Sequence, residues 1–413
     1  MRIGIIRRMA FLCALSILVG VFSAACQNAE TSTVTNSTSG TSPSDGSSTT
    51  RTEPGDTAPT TEGQLAPTST ETSIPPNPAL VRAREILADM TLEQKVGQMF
   101  FASWVSGDVS EAVRKWHFGG IILFAPDFEK SDPQALTATI KSHQAASGIP
   151  MLIGVDEEGG PVVRISRFPL FRSERYPSPQ ALFEQGGLEA VRSDTAEKAH
   201  LLLSLGINVN LAPVCDVSTN AADYIYMRSF GQDAMSTAEY VTAVVEEMNN
   251  AGIGCSLKHF PGYGNNVDTH TGIAMDYRSY DDFIASDFLP FEAGIAAGAG
   301  SVMVSHNIVY CMNSELPASL SPEVHRILRE ELGFQGVIMT DDLSMDAIKD
   351  YTGDQEAAVL AVLAGNDMII ASAYAKQIPA VIAAVESGEI DEAIIDEAVI
   401  RILMWKIELG LII

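Results

Sequence analysis

The feature that most constrains the fold is a repeated alternation between short apolar runs and longer stretches with helical periodicity. After residue 79, eight apolar runs are separated by stretches such as Leu188–Leu205 and Thr237–Ala251. Near-continuous apolar strands that alternate with helices are typical of a parallel sheet covered by helices. Eight strands over about 330 residues favour an α/β fold of the (β/α)8 barrel (TIM) type over an open doubly wound sheet. The runs are Gln98–Ser103, Gly119–Phe124, Met151–Asp156, Ile207–Val214, Cys255–His259, Ser301–His306, Gly336–Asp341 and Asp367–Ser372.

Titratable residues stand at the ends of several of these runs, among them Asp156, Lys258, His259 and Asp341. In a (β/α)8 barrel the C-terminal strand ends converge on one mouth, where active sites lie, whereas an open sheet would spread them along an edge. No Gly-x-Gly-x-x-Gly or Walker pattern follows a run, so the sequence lacks the marks of a nucleotide-binding fold. No HExxH or CxxC pair indicates a metal, and we expect no metal or organic cofactor.

Charge and cysteine content argue against a nucleic-acid-binding protein and against a fold held together by disulfides. The formal net charge is −26, which argues against nucleic acid as a partner, because a basic surface supplies most of that affinity. The acidic residues are dispersed, as on a solvated surface. The five cysteines are too scattered to form a disulfide framework.

The first residues have the pattern of an export signal. Residues 1–25 combine three early arginines with the apolar run Met9–Phe22 and a small-residue end. The run is shorter than the roughly 20 residues that span a bilayer as a helix. Cys26, directly after Ala24-Ala25, resembles the lipobox cysteine of bacterial lipoproteins, which is acylated after cleavage, although Ser23 stands where leucine is usual. We therefore expect an exported protein, anchored by lipid alone to the outer face of the bacterial cytoplasmic membrane.

Residues 26–78 are rich in Ser, Thr, Pro and acidic residues and contain few apolar ones. Such a segment cannot bury enough surface to offset its ordering entropy, which predicts a disordered tether. The remaining residues, 79–413, are expected to form one catalytic barrel. The chain ends directly after the predicted helix Asp391–Leu409, so we expect no second folded domain.

The loop from Lys258 to His270 carries a lysine, two histidines and an aspartate within thirteen residues. Asp268 and His270 are two residues apart, so in an extended segment their side chains point to the same side. The carboxylate could then hold one ring nitrogen and leave the other for proton transfer. The alternative is a polar surface loop without a catalytic role.

Two further segments carry candidate site residues. Asp341 follows an apolar run, where a carboxylate is costly to bury without partners. A helix N-cap is the alternative for the adjacent acids, and we assign Asp342 to that role and Asp341 to the chemistry. Asp156 begins a Gly-rich turn that ends at Arg164, which suits close approach to a ligand or, alternatively, a surface salt bridge.

Taken together, these motifs resemble glycoside hydrolase family 3, and more narrowly its β-N-acetylglucosaminidase branch. The resemblance extends from about residue 83 to the C-terminus, with the motifs in the same order. The motifs are Asp156-x-Glu158-Gly-Gly-x-Val-x-Arg164, Arg228-Ser-Phe-Gly, Lys258-His259-Phe-Pro-Gly-x-Gly, Asp268-x-His270 and Asp341-Asp-Leu-Ser-Met.

The resemblance implies a (β/α)8 barrel and a retaining mechanism through a covalent glycosyl-enzyme. It assigns Asp341 as the nucleophile and His270 as the general acid/base, with Asp268 as the partner of His270. It assigns a further set to holding the sugar in the −1 subsite, namely Asp156, Arg164, Arg228, Lys258 and His259. A neutral imidazole repels an anionic acceptor less than a carboxylate does, so phosphorolysis is a second activity to consider.

This sequence differs from the family pattern in the loop before Asp268. Tyr263 stands where the family usually has a second histidine, in Pro-Gly-His-Gly. Asn265-Asn266 replaces a more usual Asp-Thr, and the loop is one residue shorter. These differences concern the path of the loop and the aglycone preference.

The prediction is a lipid-anchored exo-β-N-acetylglucosaminidase that releases GlcNAc from peptidoglycan fragments (muropeptides) or related glycans. A β-glucosidase or β-xylosidase of the same family is one alternative. A sugar-binding lipoprotein without turnover is the other, although the retention of Asp341 with Asp268 and His270 argues against it. The sequence leaves the oligomeric state, the aglycone and tolerance of peptide stems open.

Overall fold

Parallel strands surround the centre of the molecule. The computed structural model describes residues 77–103, 109–266, 268–269, 272–349, 351–352 and 354–413. The predicted signal peptide 1–25, the predicted lipidation site Cys26, residues 26–76 of the predicted linker, and His270 lie outside the described residues. The described residues fall within one compact unit.

Eight strands form one parallel sheet; seven lie within the predicted apolar runs, and β5 extends one residue beyond its run at each end. The order in the sheet is β10, β1, β2, β3, β4, β5, β7, β9, where β6 (Met275–Asp276) and β8 (Ile308–Val309) form a separate parallel pair. The eight strands are β1 Phe100–Ser103, β2 Gly120–Leu123, β3 Leu152–Val155, β4 Val209–Asn210, β5 Gly254–Phe260, β7 Ser301–Val304, β9 Val337–Thr340 and β10 Ile369–Ala371.

Backbone hydrogen bonds bring the two ends of this sheet together. The amides of Asp367 and Met368 both donate to the carbonyl of Ile338, at 2.8 and 3.0 Å, and the Thr340 amide donates to the Met368 carbonyl at 3.1 Å. These bonds set β9 beside β10, so the eight strands form a nearly closed barrel. The prediction of a (β/α)8 barrel is confirmed.

Helices occupy the connections between the strands. The described helices are α1 Pro78–Ala88, α2 Leu92–Gln98, α3 Val109–Trp116, α4 Ala125–Glu129, α5 Pro133–Ala146, α6 Pro179–Ser204, α7 Ala234–Ala251, α8 Tyr280–Asp282, α9 Phe288–Ala296, α10 Pro322–Arg326, α11 Asp346–Lys349, α12 Asp354–Ala364, α13 Tyr374–Glu386 and α14 Glu392–Glu408. Short π-helical segments, Phe283–Asp287 and Ile327–Glu331, extend α8 and α10. Within the part of the chain that the structure describes, no helix is both long and apolar enough to cross a bilayer.

Side-chain chemistry explains where these helices begin and break. The Asp233 carboxylate accepts a hydrogen bond from the Ser236 amide at 2.8 Å and so caps α7, which ends at Gly252 in a left-handed conformation. α6 is interrupted by non-helical backbone at Gly186 and Gly187. The helix predicted to begin at Leu188 is therefore the second segment of α6.

Close packing between strands depends on two glycines. A Cβ atom at Gly120 would lie 2.7 Å, and one at Gly154 2.5 Å, from atoms of the Phe101 ring. Real Cβ atoms do not approach so closely, so a side chain at either position would displace the ring. The buried Phe101 ring thus packs across β1, β2 and β3 and helps fix the strands that lead to the site.

Candidate active site

The C-terminal ends of the barrel strands line one cavity of about 440 Å³. Pockets of this size are typical of sites for small ligands. Six of the eight residues predicted to act on the sugar line it: Asp156, Arg164, Arg228, Lys258, His259 and Asp341. The structure therefore brings these residues together from four separate segments of the sequence.

Lys258 lies near the C-terminal end of β5, at the centre of a buried ion cluster. Its Nζ atom is 2.7 Å from Asp156 Oδ1 and 2.7 Å from Glu158 Oε1, and the residue is 1% exposed. Burial lowers the pKa of the ammonium, but the two carboxylates outweigh burial and hold the pKa above its ordinary value. Burial raises the pKa of Glu158, but Arg228 and Lys258 outweigh it and hold the pKa well below the ordinary value. The cluster is therefore ionised and fixed in place.

Arg228 reaches the same cluster from the loop after β4. Its Nε and Nη2 atoms donate to the two Glu158 oxygens at 3.0 and 2.8 Å, a bidentate pair. Nη2 also lies 3.0 Å from Nε2 of His259. A guanidinium carries donors but no acceptor, so this histidine nitrogen must accept.

The tautomer of His259 follows from its two partners. Nδ1 of the ring lies 2.7 Å from Asp216 Oδ2 and donates to it, because Nε2 accepts from Arg228. The second Asp216 oxygen accepts from the Tyr263 amide at 2.7 Å. The imidazole is thus neutral, and its orientation is fixed by the buried Asp216.

Arg164 returns to the cavity at the end of the Gly-rich turn. Its Nη2 atom lies 3.3 Å from Asp156 Oδ2, and its guanidinium is 5.9 Å from the Phe124 ring centroid. Burial raises the pKa of Asp156, but attraction to Lys258 and Arg164 outweighs it, so the pKa lies below its ordinary value. Both members of this ion pair line the cavity.

The turn before Arg164 depends on a buried acid that faces away from the cavity. Glu157 is fully buried, and its carboxylate accepts hydrogen bonds from the backbone amides of Arg164 and Ile165 at 2.8 Å each, and of Ser166 at 3.1 Å. These bonds fold the turn so that Arg164 comes back beside Asp156. Asp156 and Glu158 line the cavity, whereas Glu157, which stands between them, does not. This alternation is expected along an extended strand end.

Asp341 follows directly on β9 and lines the cavity. Its amide donates to the Val304 carbonyl at 2.9 Å, and its Oδ1 atom accepts from the Asp342 amide at 2.8 Å. The neighbouring Asp342 carboxylate instead accepts from the Ser344 amide at 2.8 Å within the following turn. Burial raises the pKa of Asp342.

The segment of the predicted acid/base pair is described at Asp268 and Thr269, and His270 lies outside the described residues. The Tyr263 hydroxyl is hydrogen-bonded to the Thr269 hydroxyl. The Tyr224 hydroxyl interacts with the Asp268 carboxylate: partial burial raises the pKa of Tyr224, and Asp268 adds to that shift. Tyr224 and Tyr263 both line the cavity, whereas Asp268, which contacts Tyr224, is not among its lining residues.

Four residues of the site were not among those predicted: Glu158, Asp216, Tyr224 and Tyr263. Glu158 stands two residues after Asp156, and this spacing places both on the same side of an extended chain. Asp216 follows the end of the fourth apolar run by two residues, a position that is itself a signal for the barrel mouth. The two tyrosines carry no local signal, because their roles depend on how the loops approach each other. Across the described residues, no group of three or more His, Cys, Asp or Glu side chains is arranged to hold a metal ion.

Comparison with known families decides the classification. The model of the glycosyl hydrolase family 3 N terminal domain matches residues 91–405, a range that contains every residue lining the cavity. The chain belongs to glycoside hydrolase family 3. The resemblance inferred from the motifs is therefore confirmed for the family, and so is the prediction of a glycoside hydrolase.

Several family 3 relatives are β-hexosaminidases. A β-hexosaminidase of Stenotrophomonas maltophilia is 38% identical over 264 residues, which cover 61% of this chain and 75% of that protein. The β-hexosaminidase LpqI of Mycobacterium tuberculosis is 32% identical over 343 residues, which cover 80% of this chain and 84% of that protein.

Solved structures of family 3 enzymes share the barrel. A β-N-acetylglucosaminidase from Paenibacillus sp. matches with a TM-score of 0.73 at 34% identity, over 78% of this chain and 63% of that chain. A β-N-acetylhexosaminidase from Beutenbergia cavernae matches with a TM-score of 0.69 at 30% identity, over 76% of this chain and 98% of that chain. This chain thus spans less than two thirds of the Paenibacillus chain and nearly all of the Beutenbergia chain.

Proposed function

We propose that this family 3 glycoside hydrolase is a retaining exo-β-N-acetylglucosaminidase that removes terminal GlcNAc from peptidoglycan fragments or related glycans. One observation carries the proposal: Asp341 shares a single cavity with the ion cluster around Lys258. The hexosaminidase relatives support the choice of sugar. A cavity of about 440 Å³ suits recognition of one terminal sugar unit rather than a long chain.

The ion cluster around Lys258 would hold the sugar at the −1 subsite. Lys258, Arg164 and Arg228 supply donors, while Asp156 accepts, so adjacent hydroxyl groups of a sugar can both donate and accept. The network already satisfies these side chains through one another, so binding costs little reorganisation. His259 is locked by Asp216 and Arg228, so its ring offers a fixed wall to the sugar.

The chemistry would proceed in two steps. The Asp341 carboxylate attacks the anomeric carbon while His270 donates a proton to the departing glycosidic oxygen, which leaves a covalent glycosyl-enzyme. His270, now neutral, then removes a proton from water, and the water oxygen displaces the Asp341 carboxylate. Asp268 would hold the second ring nitrogen of His270 throughout. Two successive inversions leave the product with the β configuration of the substrate.

The location of the activity is part of the proposal. An export signal over residues 1–25 and acylation of Cys26 would place the protein on the outer face of the cytoplasmic membrane. The segment 26–78 would then act as a tether that lets the barrel reach muropeptides in the wall. GlcNAc-terminated muropeptides are the substrate class that this location favours.

The decisive experiment compares the wild type with Asp341→Asn on GlcNAc–MurNAc and on chitobiose, with products identified by mass. We expect the wild type to release GlcNAc and the variant to lose about 1,000-fold or more of its turnover, because no nucleophile remains. Binding of GlcNAc should persist in the variant. Asp342→Asn is the matched control and should retain most of the activity.

The stereochemistry is tested separately with the wild type. Because a retaining enzyme releases the β anomer, NMR spectra taken early in the reaction should show that anomer first.

Three outcomes would contradict the proposal in distinct ways. An active Asp341→Asn variant would remove Asp341 from the chemistry. Faster turnover of nitrophenyl β-glucoside than of nitrophenyl β-GlcNAc would favour a β-glucosidase. A wild type that binds GlcNAc-terminated glycans without cleaving any of these substrates would favour a sugar-binding lipoprotein.

A further inference from the structure

Tyr263 is fixed between the sugar-binding cluster and the Asp268 segment. Its amide donates to Asp216 at 2.7 Å, and its ring meets the His259 ring edge-on with centroids 5.3 Å apart. Its carbonyl accepts from Asn266 Nδ2 at 2.9 Å, and the residue is 2% exposed. Backbone and ring are therefore held from two sides, and the direction of the hydroxyl is determined.

The Tyr263 hydroxyl binds the residue between the two members of the predicted acid/base pair. Its partner is the hydroxyl of Thr269, which is fully buried. Tyr224, whose ring centroid lies 5.9 Å from that of Tyr263, interacts through its own hydroxyl with Asp268. Two neighbouring tyrosines thus hold two successive residues of this segment.

Tyr263 and Asp341 line the same cavity. Burial raises the pKa of Tyr263 well above its ordinary value, and the Asp341 carboxylate raises it further. The hydroxyl therefore stays protonated and remains able to donate. Tyr263 therefore shares the cavity of the predicted nucleophile and holds the Asp268 segment through its bond to Thr269.

We propose that Tyr263 is a positioning residue that sets the place of the acid/base segment relative to Asp341. The inference rests on the proposed function, in which Asp268 and His270 supply proton transfer.

The test is Tyr263→Phe, which keeps the ring and removes the hydroxyl, with kcat/KM measured on two substrates. Chitobiose needs protonation of a poor leaving group, whereas 2,4-dinitrophenyl β-GlcNAc does not. We expect kcat/KM for chitobiose to fall about tenfold or more, because misplaced acid catalysis costs rate steeply. For the dinitrophenyl substrate we expect a change of less than about threefold, since the sugar-binding cluster is intact.

Thr269 offers the matched pair of variants. Thr269→Val removes the hydroxyl at nearly constant shape and should reproduce the dependence on the leaving group, while Thr269→Ser keeps a hydroxyl and should behave like the wild type. The double variant Tyr263→Phe with Thr269→Val should lose no more than either single variant, because both remove one shared bond.

The outcomes separate this inference from the proposed function. Equal losses on both substrates, or no loss on either, would overturn the role of Tyr263 in a protein whose Asp341→Asn variant is inactive. A lowered Tm with unchanged ratios of kcat/KM would also overturn it, because that is the result of a purely structural role. A wild type that does not release GlcNAc would instead remove the proposed function itself.

Discussion

Asp216 does not line the cavity, but its carboxylate binds two residues that do, His259 and Tyr263. One of its oxygens accepts from the His259 ring at 2.7 Å and from the His259 amide at 3.2 Å, and the other accepts from the Tyr263 amide at 2.7 Å. The residue is 1% exposed, so these bonds are shielded from water. A single buried carboxylate therefore fixes the tautomer of one wall residue and the backbone of the other.

Replacing Asp216 by Asn should impair substrate binding and turnover together. The amide nitrogen of Asn can donate where the carboxylate accepted, and this favours the His259 tautomer that points a proton at Arg228. We expect kcat/KM on nitrophenyl β-GlcNAc to fall by about 10- to 100-fold, since charge-assisted hydrogen bonds contribute about 1.5–3 kcal/mol. Asp281→Asn on exposed α8 is the control. A value within twofold of the wild type would show that the tautomer is irrelevant.

The two ends of the loop that carries Asp268 are held together by a charged clamp, which consists of Arg278, Asp276 and Asp287. Arg278, just after β6, contacts both oxygens of Asp276 and of Asp287 at 2.8–3.1 Å and donates to the Gly262 carbonyl at 3.1 Å. Asn266 Nδ2 donates to Asp276 at 2.7 Å. The start and the return of the loop are thereby tied to each other through one guanidinium.

Removing this guanidinium should destabilise the whole domain. Asp276 and Asp287 are each 2% exposed, and Arg278→Met would leave both without their cation. Breaking a buried ion pair from one side costs about 3–5 kcal/mol, so we expect a loss of about that size in the free energy of unfolding, measured by urea denaturation. Arg326→Met is the matched control, because Arg326 also contacts three carboxylates but is 40% exposed, and its loss should cost much less stability than the loss of Arg278. Equal losses in the two variants would contradict the clamp.

At the scale of the whole molecule, the barrel was predictable because the strands are buried on both faces and so appear as local apolar runs. The ends of those runs also identified the mouth, and with it Asp156, Lys258 and Asp341. The two-residue strands β6 and β8 were not predicted, since a pair of residues carries no periodicity. Tyr263 and Tyr224 were missed for another reason: their partners come from a loop whose path no local pattern specifies.

Lys406 is an ionisable residue that is buried away from water. Lys406 on α14 donates from Nζ to Gln98 Oε1 at 2.7 Å, a contact between residues 308 positions apart, and it is fully buried. Its partner is a neutral amide. Burial therefore lowers the pKa of this lysine from its ordinary value of 10.5 to about 7.

This shift predicts a pH dependence of stability that belongs to Lys406. Between pH of about 7 and 10.5 the unfolded chain binds the proton and the folded chain does not, so the free energy of unfolding should rise with pH, by up to about 1.4 kcal/mol per unit. Below about 7 both states are protonated and the contribution is constant. Lys406→Met removes the group, so its stability relative to the wild type should decline steadily between pH 7 and 10.

Urea denaturation at pH 6.5, 8 and 9.5 measures this difference, and Lys141→Met is the control because Lys141 is exposed on α5. A difference between Lys406→Met and wild type that does not change with pH would mean that Lys406 is buried with its charge.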